Sequence, residues 1–211
     1  MRYENTQTSL VVVGQLNPAI LSHDFLDRNA ILPSGLVEGQ PSPTITPLLS
    51  LLEYQDRLKI IVEMGRFIAQ SNLAGAAKLL PDLVAKYFET LPHTPLQSVG
   101  INFHGELHPG TADEIARLAA KVKPEEGLAG LPAGIDNPEW RLGVRFPHED
   151  FKLTVSLDWI APVRSMVKVS ANYHRDLKDA PGGTLKGLQA TLSKSTALRE
   201  HFEALVMKWL G

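Results

Sequence analysis

The chain of 211 residues contains no cysteine. That absence excludes a disulfide framework, a thiolate zinc site, an iron–sulfur cluster and a cysteine nucleophile, and leaves metal sites built from imidazole and carboxylate. Neither sign of charge dominates, since 21 Lys and Arg face 23 Asp and Glu for a net charge of −2. No field of one sign therefore draws the protein onto nucleic acid or an anionic membrane, and neither is expected as a partner. Long apolar runs are missing as well. The stretch Leu10 to Val13 ends at Gly14, too short for a signal peptide and far from the roughly 20 residues of a membrane span. A cytoplasmic protein is the expectation. The phosphate loop Gly-x-x-x-x-Gly-Lys-Ser/Thr, the dinucleotide fingerprint Gly-x-Gly-x-x-Gly, His-Glu-x-x-His and the Gly-x-Ser-x-Gly elbow do not occur.

What is present is enough apolar material for a core. A hydrophobic fraction of 44% in a chain this long lets folding bury roughly 70% of the unfolded surface. Ser9 to Leu16 reads as a strand, and Asn17-Pro18 then caps a helix carrying Ile20, Leu21, Phe25 and Leu26 on one stripe. From Pro33 to Pro47 the composition turns to Pro, Gly, Ser and Thr, as in a surface loop. Leu48 to Tyr54 and Leu58 to Met64 flank Gln55-Asp56-Arg57 as a hairpin, and their apolar content places them centrally. Pro81 is expected to open a helix with Leu83, Val84, Tyr87, Phe88 and Leu91 on its buried stripe.

Gln97 to Leu107 alternates with the two-residue period of a strand, and Thr111 caps the helix that follows. Residues 123–138, rich in Gly and Pro, form the expected linker between an N-terminal half (1–122) and a C-terminal half (139–211) of one unit. In the second half Leu142, Val144 and Phe146, then Phe151 to Trp159, then Val167 to Tyr173 alternate as a three-strand meander. Thr184 is expected to cap a short helix after Gly182-Gly183, and a last helix aligns Leu198, Phe202, Leu205, Val206 and Trp209. The fold class expected is α+β, with a mainly antiparallel sheet of about seven strands in two related halves and helices on one face.

One internal match carries chemistry. Val99-Gly-Ile-Asn-Phe-His-Gly-Glu-Leu107 reads against Val169-Ser-Ala-Asn-Tyr-His-Arg-Asp-Leu177 at an offset of 70 residues. Residues i and i+2 of a strand share a face about 6.6 Å apart. Asn102, His104 and Glu106 therefore share one face, as do Asn172, His174 and Asp176. If the two strands met, His104, Glu106, His174 and Asp176 would suit a divalent metal such as Zn, Mn, Fe or Ni. They would equally suit an acid–base group in which a carboxylate orients a histidine. His108 extends the first copy to His-x-Glu-x-His, but lies about 13 Å from His104 unless the strand ends near Glu106. The other reading of the same row is a solvated or partner-binding sheet face. His23, His93, His148 and His201 show no site spacing and are expected at the surface, whereas Trp140, Trp159 and Trp209 fall on apolar periods and are expected in the core. Arg141, Arg145, Lys152 and Lys168 share the wet face without interleaved aromatics, which does not make a nucleic-acid surface.

Four short motifs taken in order are Leu16-Asn17-Pro18-Ala19-Ile20, Gln55-Asp56-Arg57-Leu58, Leu91-Pro92-His93-Thr94-Pro95-Leu96 and Asn172-Tyr173-His174. Through them the whole chain resembles a sporadically distributed group of uncharacterised bacterial proteins. The resemblance implies an α+β fold and a bacterial origin, and no activity, cofactor or catalytic residue comes with it. The function expected is a non-catalytic interaction or binding module, a homo-oligomer or the receiver of another protein on a sheet face or edge. A metal-dependent or acid–base enzyme at the paired motif is the alternative, and a small-ligand pocket near residues 123–138 a third. No cofactor is called for unless that motif takes a divalent metal.

Overall fold

Alternation of apolar and polar side chains sets most of the structure. In the computed structural model, which describes residues 1–32, 41–55, 57–122, 139–160 and 166–210, the elements in chain order are these. β1 (Arg2–Gly14), a 3-10 turn (Pro18–Ile20) and α1 (His23–Arg28) lead into β2 (Ser42–Ile45), β3 (Leu49–Tyr54), β4 (Leu58–Glu63) and β5 (Arg66–Ser71). Then come α2 (Ala76–Thr90), β6 (Leu96–His108), α3 (Ala112–Val122), β7 (Glu139–His148), β8 (Phe151–Ile160) and β9 (Val167–Asp176). α4 (Thr184–Leu192) and α5 (Ser195–Leu210) close the chain.

The strands form one antiparallel sheet in the order β2-β3-β4-β5-β1-β6-β9-β8-β7. Among the described residues it has nine strands where the sequence predicts about seven, because β2 and β5 do not stand out in the sequence. β2 lies in the proline-rich stretch, and its Pro43 is accommodated because an edge strand needs no donor on its outer side. β5 turns Phe67, Ala69 and Ser71 to the core, and the small residues conceal the alternation. The β3–β4 hairpin pairs as expected but sits toward one edge, and the long strands β1 and β6 are the central pair. The neighbouring pair of β6 with β9 ties the two expected halves into a single sheet. Residues 123–138 lie outside those described.

The helices gather on one face. α2 packs on β1 and β5, α4 on β6, and α5 on β1, β6 and β9. Leu80, Leu83, Val84, Tyr87 and Phe88 of α2 are buried, as are Leu188 and Leu192 of α4 and Leu198, Phe202, Val206 and Leu210 of α5. Each such side chain contributes about 1.5–3 kcal/mol. Phe67 meets the Tyr87 and Phe88 rings at 4.6 and 5.4 Å, and Phe103 stacks on Phe202 at 6.2 Å. Trp209 is half-buried against this core, while the side chains of Trp140 and Trp159 lie outside those described.

Local boundaries depart from the sequence reading in three places. Asn17 accepts from the Ala19 amide and caps only a 3-10 turn, and α1 starts afresh where Ser22 Oγ accepts from the Phe25 amide at 3.1 Å. α2 begins at Ala76, so Pro81 lies within the helix and does not open it. Gly183, at φ 96°, occupies the N-cap of α4 and Thr184 is its first residue. Among the described residues no helix is long and apolar enough to cross a membrane.

Candidate functional site: the open face of the sheet

Strand parity decides which side chains avoid the helices. On β6 Val99, Ile101, Phe103 and Leu107 are buried against them, so Ser98, Asn102, His104, Glu106 and His108 occupy the opposite face. On β9 Lys168, Ser170, Asn172 and His174 do the same. β6 and β9 are neighbours, and their register sets Asn102 directly opposite Asn172. Asn172 Nδ2 donates to Asn102 Oδ1, and Asn102 Nδ2 donates to the Ser9 carbonyl at 3.5 Å. Gly100 leaves room for this pair, since a Cβ there would stand 3.2 Å from Asn172 Nδ2.

The same register separates the rest of the paired motif. Antiparallel strands run away from a shared centre, so equal steps from the two asparagines lead in opposite directions. His104 lies opposite Ser170 and Glu106 opposite Lys168, whereas His174 lies opposite Gly100 and Asp176 opposite Ser98. His104 and His174 are thus four strand positions and one strand apart, about 14 Å. The convergence of His104, Glu106, His174 and Asp176 on one ion does not occur in this arrangement. Among the described residues no group of three or more His, Asp or Glu side chains is placed to hold a metal ion. His174 Nε2 instead approaches Asp176 Oδ1 at 3.3 Å, and Lys152 Nζ reaches Asp176 Oδ2 at 2.8 Å. Bonds from Lys152 and His174 hold the Asp176 carboxyl below its ordinary pKa. β6 continues to His108, whose Nε2 meets Glu106 Oε2 at 3.5 Å, so His104 and His108 stay apart as the strand spacing requires.

A recess of about 370 Å³ opens beside His104. It forms where β1 bulges, the register against β6 shifting between Asn5 and Gln7, because an extra residue bends a strand and re-aims its side chains. The hydroxyl of Thr6, the extra residue, donates to the His104 carbonyl at 3.2 Å. Gln7, His104, Glu106, Asp158, Lys168 and Ser170 line the recess. The His104 ring reaches solvent at the mouth, yet the walls strip enough water from it to lower its pKa, which favours neutral imidazole. Glu106, Lys168 and Asp158 follow one another across three strands, mixing both signs of charge.

Toward the other side of the sheet the open face becomes apolar. Leu51, Ile61, Ile68 and Val11 lie in register on β3, β4, β5 and β1 as one continuous row, each half-buried. Charged pairs border the row on both sides. Lys59 meets Glu53 at 2.9 Å along one flank, and Arg66 meets Glu63 at 2.6 Å along the other. Leu48 and Met64, 67% and 61% exposed, extend the apolar surface at the strand ends.

Sequence reasoning missed a second histidine cluster, on the helix side. His201 of α5 stacks on His148 with centroids 3.8 Å apart, and its Nδ1 is hydrogen-bonded to the buried Tyr173 hydroxyl at 2.7 Å. Burial, then the nearby His148, lowers the His201 pKa. Lys194 fastens the adjoining turn through Glu149 at 2.9 Å and Asp150 at 3.6 Å. Parallel rings cannot aim their lone pairs at one ion, so this cluster serves to hold α5 on the β7–β8 turn. No local spacing announces it, because the three rings come from distant segments.

No protein-family model matches the chain, and no curated protein matches it.

Proposed function

We propose that the protein is a non-catalytic binding module whose open sheet face receives another protein. The observation that carries this reading is the row Leu51, Ile61, Ile68 and Val11, which no helix among the described residues covers and which the Glu53–Lys59 and Glu63–Arg66 pairs frame. An apolar centre with a polar rim is how a protein interface is built. Both signs of charge on the rim match a partner that carries an apolar ridge flanked by mixed charge, and they disfavour a polyanion. Every described Phe and Tyr ring of the sheet lies on the helix side, so among the described residues the open face presents none of these rings for bases to stack on.

Selection from a displayed library of random peptides about 15 residues long, four helical turns, tests the reading. Enriched peptides should carry an apolar stripe and bind at least about tenfold, ~1.4 kcal/mol, more weakly to the Ile61→Lys, Ile68→Lys variant. Absence of enrichment, or equal binding to the variant, would overturn it.

The sheet is further read as one plan used twice, with the division between α2 and β6 and not, as expected from the sequence, at residues 123–138. Connectivity supports this. β1, α1, a meander ending in β5 beside β1, and α2 are followed by β6, α3, a meander ending in β9 beside β6, and α4. In this plan β6 corresponds to β1 and β9 to β5, so the match at 70 residues links two neighbouring strands within the second half.

A further inference from the structure

The two outer strands of the sheet are unlike. β2 is four residues long and carries Pro43, which blunts an edge. β7 is ten residues long, pairs with β8 along its whole length, and carries its proline, Pro147, only at the next-to-last position, which leaves the outward N–H groups of Gly143 and Arg145 in place. If the halves share one plan, β7 stands where β3 stands in the first half. β3 is covered on its outer side by β2, and among the described residues no strand lies outside β7.

The local geometry of β7 defines what that edge offers. The two-residue connection Glu149-Asp150 closes on the His148–Phe151 pair, and hydrogen-bonded pairs alternate from there. Even-numbered positions of β7 then bond to β8, and the N–H and C=O groups of Gly143 and Arg145 point outward. Leu142, Val144 and Phe146 lie opposite Leu157, Val155 and Leu153. Those three partners are buried, yet Val144 is 37% exposed, and Leu142 and Phe146 are only half-buried. The apolar layer is unfinished along this edge.

We infer that β7 is a self-association edge, to which a second copy adds its own β7 antiparallel about a twofold axis through Val144. Val144 then meets the partner's Val144, Leu142 meets the partner's Phe146, and all three rows of the apolar layer continue across the join. Charge disfavours the two adjacent registers. Moving the axis by one residue in either direction sets arginine against arginine, at positions 141 and 145 or at 145 and 145, which is unfavourable on adjacent strands. With the axis at Val144, each Arg145 faces a Gly143, where a Cβ would find no atom nearer than 3.9 Å and space remains for the guanidinium. Because the copies join along one strand edge alone, the dimer should dissociate on dilution. The inference does not rest on the open-face reading, because pairing through β7 leaves that face free.

The lack of native cysteine makes the test direct. Val144→Cys places two thiols at a non-hydrogen-bonded pair, where Cβ separations suit a disulfide, and oxidation by diamide should link most of the protein as a dimer. Leu142→Cys should link far less, since its position faces Phe146. In light scattering the wild type should rise from 23.1 kDa toward twice that mass as concentration increases. Gly143→Pro removes an outward N–H at a position without positive φ and with room for a Cβ, and should stay monomeric with its thermal transition retained. Should Gly143→Pro fail to fold, the cysteine pair decides alone. A wild type that is monomeric at about 100 μM, linkage at Leu142→Cys equal to that at Val144→Cys, or a dimer that survives Gly143→Pro would each overturn the inference. A monomer whose Gly143 and Arg145 amides resist hydrogen exchange would mean that the edge is already occupied, and would overturn it too.

Discussion

Ile60 and Ile61 are chain neighbours on β4 that point to opposite faces, and replacing each by lysine should give opposite results. Ile60 is fully buried, between Leu52 and Ala69 in the layer beneath the helices. Lysine there forfeits the burial of an isoleucine and leaves an ammonium without a partner, together at least about 5 kcal/mol. Against a total stability of about 5–15 kcal/mol, Ile60→Lys should lose its cooperative unfolding transition or most of it. Ile61 is half-buried beside Leu51 and Ile68 on the open face. It stands to lose about half of a 2–3 kcal/mol burial, and the lysine stem can lie over the same row while its ammonium reaches water. A cost of ~1–1.5 kcal/mol corresponds to a fall in Tm of about 2–6 °C for a chain of this size. Thermal unfolding followed by circular dichroism measures both. Equal and large losses would show that the row is covered in the folded protein. Equal and small losses would show that the helices do not pack where the buried layer requires, and either result would refute the two-faced description.

Three further outcomes follow from particular contacts. Gly105→Ala should cost about 1–3 kcal/mol by overpacking, because a Cβ at that position overlaps the Tyr3 ring, and the penalty in urea unfolding should shrink when Tyr3→Leu is combined with it. Tyr173→Phe should cost about 1–2 kcal/mol in the same assay, since it removes the hydroxyl bonded to His201; no loss would mean that the bond carries nothing. His104 and His201 both have pKa values lowered from an ordinary 6.5 by burial. The unfolded chain therefore binds protons first, so their contribution is complete above pH 6.5 and is lost as the pH falls from there toward the folded values. The urea midpoint at pH 5 should lie below that at pH 7.5, and a flat or rising profile toward acid would contradict the desolvation of both rings.

How much could be read in advance depended on whether a signal was local. β8 was legible because four buried apolar residues alternate with Lys152, Thr154, Ser156 and Asp158, and β6 for the same reason. β5 was not, since Ala69 and Ser71 are inward residues that look like outward ones. The stripe of α2 is legible but its start is not, because helix packing at Ala76, Ala77 and Leu80 outweighs the usual position of proline. For the site, face sharing along each strand followed from the two-residue period, and Asn102, His104 and Glu106 do share a face. Whether the two motifs converge depended on strand direction, which a single strand's sequence does not contain. The apolar row crosses four strands with one residue from each, and the His148–His201 stack joins a turn to a helix. Neither has a period along the chain.

The pairing of β1 with β6 has a consequence for the order in which the molecule assembles. β1 can close against β5 as soon as Ser71 has emerged, but its other edge waits for Leu96 to His108. At a synthesis rate of about 5–20 residues per second, the interval between Ser71 and His108 lasts roughly 2–7 s. Throughout it the nascent first half presents a long edge carrying Leu10 and Val12, both fully buried once folding is complete. That interval is long compared with collapse of a small chain, which takes up to about 100 μs. A holdase that shields strand edges should therefore raise the yield most when it acts during synthesis, before β6 arrives, and should add little to refolding of the finished chain, where both strands are present from the start.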